Sequence, residues 1–427
     1  MKLKKQKVLV FLLTVLIVFA GCAGKKRKEV NLTFLTWDRY QTPGMEAMIA
    51  AYTAKNPGIS ISVQTTGWDE YWTKLEAAAT GNTLPDIFWM HTNELLKYAG
   101  AGILADLTHL YDDVSPGYYR EHFSEVSLKN AGGIDGKIYG VPKDKDTIGL
   151  VYNKEMFDAA KVSYPDEHWT WNDLIKASRT IHKATGKYGY MAYLDDQVGY
   201  WNFVYQAGGY ILNEDGTKAG FTDPGTKKAI KFYWDIQKEA FCPDQKYFAE
   251  TSPGTAFFSG LGAMYFEGNW NLKQLLDNYP GMVGKWDVAV LPKCPDPVRG
   301  DGRASISNGL CYSTGARGKN LNYALEFLKF LGTKEAMIIQ GESGAAIPAY
   351  AGTEQTYFTA FDKYAYRIAI EKYFDMFSYG VQSVNNKSRP VWKPKVQDEM
   401  LKLYSGKEKL ETVLANMQKI VDEASAK

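Results

Sequence analysis

A rhythm of short apolar strands and amphipathic helices, repeated from residue 30 onward, is the tightest constraint on how this chain folds. Val30 to Thr36 alternates apolar and polar residues, as a half-buried strand does. Met45, Met48, Ile49 and Tyr52 then recur at helical spacing on one face. Asn56-Pro57-Gly58 ends that helix, and Ile59 to Val63 reads as a second strand. A helix over Asp69 to Ala79, a strand at Ile87 to Met90 and a helix near Glu94 to Ala99 continue the series. This β-α-β-α-β order predicts a mostly parallel sheet flanked by helices.

The rhythm returns after Gly136. Ile138 to Val141, Ile148 to Tyr152, Tyr188 to Tyr193 and Ala263 to Phe266 are strand candidates. Helices are expected at Trp171 to Ala184, Asp196 to Gln206 and Lys227 to Ala240. Leu410, Val413, Leu414, Met417, Val421 and Ala424 form one apolar face on a terminal helix. A chain of 427 residues exceeds what one core usually holds, so two domains are expected. No repeat of a solenoid's period is visible.

The first residues address the compartment. Lys2, Lys4, Lys5 and Lys7 precede an apolar run from Val8 to Ala20, broken only by Thr14. As a helix that run spans about 20 Å, short of a ~30 Å hydrocarbon core, and it fits the h-region of a secretory signal. Ala20-Gly21-Cys22 resembles the bacterial lipobox, with Phe19 where Leu is usual. That resemblance implies a signal peptide at 1–21, a lipidated Cys22, and a basic tether over 22–29. The formal net charge of +2 would fall to about −2 without the four n-region lysines, which argues against a nucleic-acid partner. The five histidines lie apart with no HxH or HExxH spacing, so neither a metal nor a cofactor is expected. Cys242, Cys294 and Cys311 allow one disulfide plus a free thiol, or three free thiols.

Aromatic residues make up 14% of the chain, with 11 Trp and 29 Tyr. Several Trp stand beside polar residues where strands end or helices begin: Trp37-Asp38, Trp68-Asp69, Trp89-Met90-His91, Trp201-Asn202 and Asn269-Trp270. Ligands of open α/β sheets bind at that end of the strands. Pyranose C–H faces pack on aromatic rings, while sugar hydroxyls need carboxylates and amides. The pattern therefore suits a saccharide.

Ordered motifs carry a family resemblance. They begin with Leu84-Pro85-Asp86-Ile87-Phe88-Trp89-Met90-His91 and Tyr98-Ala99-Gly100-Ala101-Gly102-Ile103-Leu104-Ala105-Asp106-Leu107. Gly136-Lys137-Ile138-Tyr139-Gly140-Val141-Pro142, Trp169-Thr170-Trp171-Asn172-Asp173-Leu174 and Tyr200-Trp201-Asn202-Phe203 come next. Ala263-Met264-Tyr265-Phe266-Glu267-Gly268-Asn269-Trp270 completes the set. The chain resembles the maltose/maltodextrin branch of the extracellular solute-binding proteins (family 1). The resemblance implies a two-lobed periplasmic-binding-protein-like fold (type II) with a hinged cleft, each lobe a mostly parallel sheet flanked by helices. It divides the chain into an N-terminal lobe, 30–145 and 306–351, and a C-terminal lobe, 148–305 and 352–427. It implies a non-enzymatic receptor that hands a di- or oligosaccharide to the permease subunits of an ABC importer at the extracytoplasmic face, and nothing in the sequence suggests more than a monomer.

Carried across residue by residue, Asp38 and Arg39 fall where the family places a polar pair on sugar hydroxyls, and Trp89 on a stacking position; Trp37, beside Asp38 at a strand end, is a further candidate contact. Asp146 matches a hinge-side carboxylate. Asp196, Tyr200 and Trp201 match a binding loop, and Trp270 and Trp392 match aromatic walls. Glu267, in its Glu-Gly-Asn turn, is expected near ligand, whereas His91 fits a local hydrogen bond. Thr92-Asn93 replaces the charged pair of the maltodextrin proteins, so "maltose" does not carry over. A polyamine- or peptide-type receptor of the same fold, a glycoside hydrolase and a polysaccharide-holding surface protein are the competing readings.

Overall fold

The computed structural model describes residues 29–112, 120–133, 135–364, 368–382 and 384–426. The expected signal segment and the expected lipidation site at Cys22 lie outside the described residues. Among the described residues, no helix is long and apolar enough to cross a membrane.

The strands are β1 (Val30–Thr36), β2 (Ile59–Thr65), β3 (Ile87–His91), β4 (Val141–Pro142), β5 (Asp144–Lys145), β6 (Ile148–Asn153), β7 (Met264–Gly268), β8 (Trp286–Ala289), β9 (Ser305–Ile306), β10 (Leu310–Ser313), β11 (Ile347–Pro348) and β12 (Gly380–Val381). The first lobe is built on a five-stranded sheet ordered β2-β1-β3-β10-β4. β1 runs parallel to β2 and β3, as the strand–helix alternation predicts, and β10 returns antiparallel. Phe34, Ile87, Phe88 and Tyr312 meet Met45, Met48 and Phe327 in its core.

The second lobe departs from expectation. Its sheet is β7-β6-β8, antiparallel throughout, not mostly parallel. β6 is buried along its whole length, the mark of a central strand covered on both faces. Tyr188 to Tyr193 forms no named strand. Its backbone instead hydrogen-bonds along the entry to β7, Tyr188 N donating to Leu261 O at 2.9 Å and Met191 N to Met264 O at 2.9 Å. The terminal helix Leu410–Ser425 buries Leu410, Val413, Leu414, Met417 and Val421 in this second core, as its apolar face predicts. Cys242, Cys294 and Cys311 are buried free thiols, the second of the two states left open by sequence.

Chain crossings bind to one another at the hinge. Leu310 N donates to Asp144 Oδ1 at 2.9 Å, Asn308 N to Asp146 Oδ1 at 2.7 Å, and Ile148 N to Ser305 Oγ at 2.9 Å. β11 pairs with β5 as a further crossing. Ile306 and Ile347, assigned by sequence to the first lobe, pack in the second core, because each lies on a crossing strand.

Candidate ligand-binding cleft

Two cavities that share part of their lining lie between the lobes. A cavity of about 160 Å³ is lined by Trp37, Asp38, Trp68 and His91 on one side, Gln197, Asn269 and Trp270 on the other, and Asp144 to Asp146 at the hinge. A larger one of about 410 Å³ shares Trp68, His91, Gln197 and Trp270. It extends past Asp195, Asp196, Glu267 and Lys393.

Strand ends position the first wall. β1 delivers Trp37 and Asp38, β3 delivers His91, and Trp68 opens the helix Trp68–Thr80. The Trp37 ring meets Trp68 edge-on at 5.1 Å and Trp89 at 5.0 Å. Trp68 stays 44% exposed, which leaves a ring surface free for ligand. Asp38 accepts from Tyr40 N at 2.8 Å and Gln41 Nε2 at 3.0 Å. Gln41 in turn accepts from Lys143 Nζ at 2.7 Å, and Lys143 donates to Asp144 at 2.6 Å. This buried chain ties Asp38 to the hinge. His91 Nδ1 accepts from Asn93 N at 3.1 Å, capping the next helix and leaving the ring proton on Nε2. Burial, and then the positive charge of Arg389, hold its pKa down at about 3, so the ring is neutral.

The second wall is acidic. Asp195 caps the turn Asp196–Tyr200, accepting from Gln197 N at 2.7 Å and Val198 N at 2.8 Å. Burial, with Asp196 beside it, pushes Asp195 up to about 6. Burial also works against ionised Asp196, but Lys393, 3.2 Å away, and Arg389 outweigh it and hold its pKa at about 2. Glu267 accepts from Gly268 N and Asn271 Nδ2, both at 2.9 Å, and burial still pushes it up to about 7. Asp146, at the hinge, is raised to about 8 by burial and by Asp144. Gly268 leaves room for the Trp270 ring, which folds back over the turn: a Cβ would stand 2.2 Å from the ring and displace it.

Of the sequence-predicted residues, the structure brings Trp37, Asp38, Asp146, Asp196, Glu267 and Trp270 to the cavities. Four aromatics are corrected. Trp89 is fully buried, its carbonyl bonded by the Tyr71 hydroxyl and its ring 4.6 Å from Lys143 Nζ. Tyr200, Trp201 and Trp392 lie in the second core, with Trp201 stacked on Trp392 at 6.4 Å. Their place is behind the wall: Arg389 lies over Trp201 at 5.5 Å and is thereby held against Asp196. Arg39 is exposed and lines neither cavity. It donates to Tyr40 at 2.8 Å, and Tyr40 also accepts from Asn278 of the opposite lobe at 3.0 Å.

Asp195, Gln197 and Lys393 are not singled out by sequence, and Trp68 and His91 stand there only among the Trp–polar pairs at element ends, with His91 assigned to a local hydrogen bond. Trp68 carried a signal, an aromatic beside an acid at a helix start. Asp195 and Lys393 meet only through the fold and carried none. Among the described residues, no group of three His, Cys, Asp or Glu side chains could hold a metal ion.

Two hinged α/β lobes enclosing a cleft with aromatic and carboxyl walls define a receptor for a small polar solute. The chain belongs to the bacterial extracellular solute-binding protein family, whose model matches residues 39–338. It is 28% identical over 295 residues to a binding protein of Brucella abortus (strain 2308), covering 68% of this chain and 69% of that protein. It is 25% identical to the arabinooligosaccharide-binding protein of Bacillus subtilis (strain 168), over 75% of this chain and 74% of that one. The fold matches the ABC substrate-binding protein Lmo0181 of Listeria monocytogenes, solved in complex with cycloalternan, with a TM-score of 0.83. That match has 22% identity and covers 93% of this chain and 100% of the other. Membership in a family of binding proteins removes the hydrolase reading.

Proposed function

We propose that this protein captures a di- or oligosaccharide between its lobes and presents it to the permease of an ABC importer. The observation that carries the reading is the pair of aromatic walls, Trp68 from one lobe and Trp270 from the other, lining both cavities beside hydrogen-bonding carboxyls. Trp37, Asp38, Asp146, Asp196, Glu267 and Trp270 are the contacts retained from sequence, joined by Trp68, His91, Asp195 and Gln197. Relatives named for arabinooligosaccharides, lactose and galactooligosaccharides favour this cargo class. The lobes, divided near Asp146 and Ser305, move as units about the hinge, and the protein acts as a monomer. Cys22 carries a lipid that holds it at the outer face of a membrane; labelled palmitate incorporated into the native chain and lost in Cys22→Ala is the result expected.

A thermal-shift panel of mono-, di- and oligosaccharides, amino acids, peptides and polyamines tests the cargo. A ligand at 100 times its dissociation constant adds about 2.7 kcal/mol, a shift of several degrees. A rise confined to saccharides is the expected result. A rise confined to peptides or polyamines would keep the fold and discard the cargo.

A further inference from the structure

The larger cavity has a charge imbalance on its second wall. Among the described residues, the ion pairs of the cleft are Lys143–Asp144, Lys145–Glu354, Arg389–Asp196 and Lys393–Asp196. Asp195 and Glu267 join none among the described residues, although both line that cavity and Glu267 is only 8% exposed. Asp195 caps the turn Asp196–Tyr200, and that turn packs against β7, the strand that carries Glu267. The Tyr265 hydroxyl, also buried on this wall, stands beside Glu267 without a well-formed hydrogen bond. Lys393, the one cationic side chain lining this cavity among the described residues, is engaged by Asp196.

Buried charges in folded proteins are paired, and an unpaired carboxyl otherwise gives up its charge. A neutral sugar filling this cavity would displace water from two carboxyls and return no charge. A ligand bearing an ammonium would supply the missing cation, with Trp270 and Tyr193 nearby as ring faces that favour a cation.

We propose that the saccharide taken by this cleft carries a free primary amine, and that its ammonium sits between Asp195 and Glu267. The inference rests on the saccharide reading of the cleft and narrows it to amino sugars that are not N-acylated. The ring's remaining hydroxyls face His91, Gln197 and Asn271, which supply neutral donors and acceptors.

Calorimetry on the whole protein tests this with matched sets: glucosamine, galactosamine and their short oligomers, each beside its N-acetylated and its neutral hydroxyl counterpart, with spermidine as the non-sugar amine. The expected result is at least about tenfold tighter binding of the free amine in a set that binds. Equal or tighter binding of the neutral or N-acetylated member would overturn the amine and leave the saccharide receptor standing. Binding of spermidine alone, or of no saccharide at all, would overturn both. Glu267→Gln and Asp195→Asn, each checked for a native melting transition, should cut the preference for the amine to under about threefold. A preference kept intact in both would move the ammonium elsewhere and sink the assignment.

Discussion

Two sets of tryptophans in this molecule have the same chemistry and opposite roles. Trp37, Trp68 and Trp270 line the cleft and keep part of their rings outside the cores, whereas Trp89, Trp201 and Trp392 are buried to within 1%. The difference lies in where each residue stands on its element. Trp68 begins a helix at the cleft rim, and Trp270 comes just after a glycine turn that lets its ring fold back. Trp201 and Trp392 lie on helices packed against each other's rings, with Arg389 over one of them. Aromatic density in a sequence therefore marks the neighbourhood of a binding wall, while local backbone decides which rings face the ligand.

Truncating a core ring should have the largest effect. Trp201→Ala is expected to lose about 3–5 kcal/mol of unfolding free energy, read from denaturant midpoints. It should also loosen Arg389 and so Asp196. A loss below about 1 kcal/mol would break the comparison by showing that Trp201 is not packed as core. Trp270→Ala should instead leave unfolding nearly unchanged and weaken saccharide binding by about 1–3 kcal/mol in calorimetry. Unchanged affinity would remove Trp270 from the wall.

The upper end of the pH range isolates the hinge. Asp146 has its pKa raised from 3.8 to about 8, so the native state holds a proton that the unfolded chain has released. Native stability therefore falls as pH rises from about 4 to about 8. The groups that face Asp146 are Asp144, which raises its pKa, and Lys143 and Gln197, which lower it. Glu267, raised to about 7, and Asp195, also raised, add to the same fall at lower pH. In melts taken across the range, Asp146→Asn, which cannot ionise, should therefore lessen the slope throughout and remove it between about 7 and 8; an unaltered slope there would place the titrating group elsewhere. The smallest effect is expected of Tyr40→Phe. It removes the acceptor that links Arg39 and Asn278 across the cleft mouth, so affinity should drop by about 0.5–1.5 kcal/mol.

Much of the first lobe was legible because its strands alternate with helices along the chain, and periodicity reads such order directly. β1 spans the predicted residues, and the helix read from Met45 to Tyr52 runs Thr42–Lys55. The second lobe's sheet was misread because β6 pairs with strands more than 100 residues away, and no local pattern encodes their direction. The site divides the same way. Asp38, Glu267 and Trp270 are set by turns at the ends of their own strands, and sequence finds them. Asp195 and Lys393 are brought together from opposite ends of the second lobe, with Arg389 braced on Trp201, and only the fold reveals that wall.

The central claim is that a saccharide is held between the two walls. Hydrogen exchange with and without a saturating saccharide tests it directly. Protection at Trp68–Trp72, Asp195–Val198 and Glu267–Asn271 together, from both lobes at once, is the predicted result. Protection confined to one lobe, or to the surface between the helices Trp171–Thr185 and Pro224–Ile236, would contradict it.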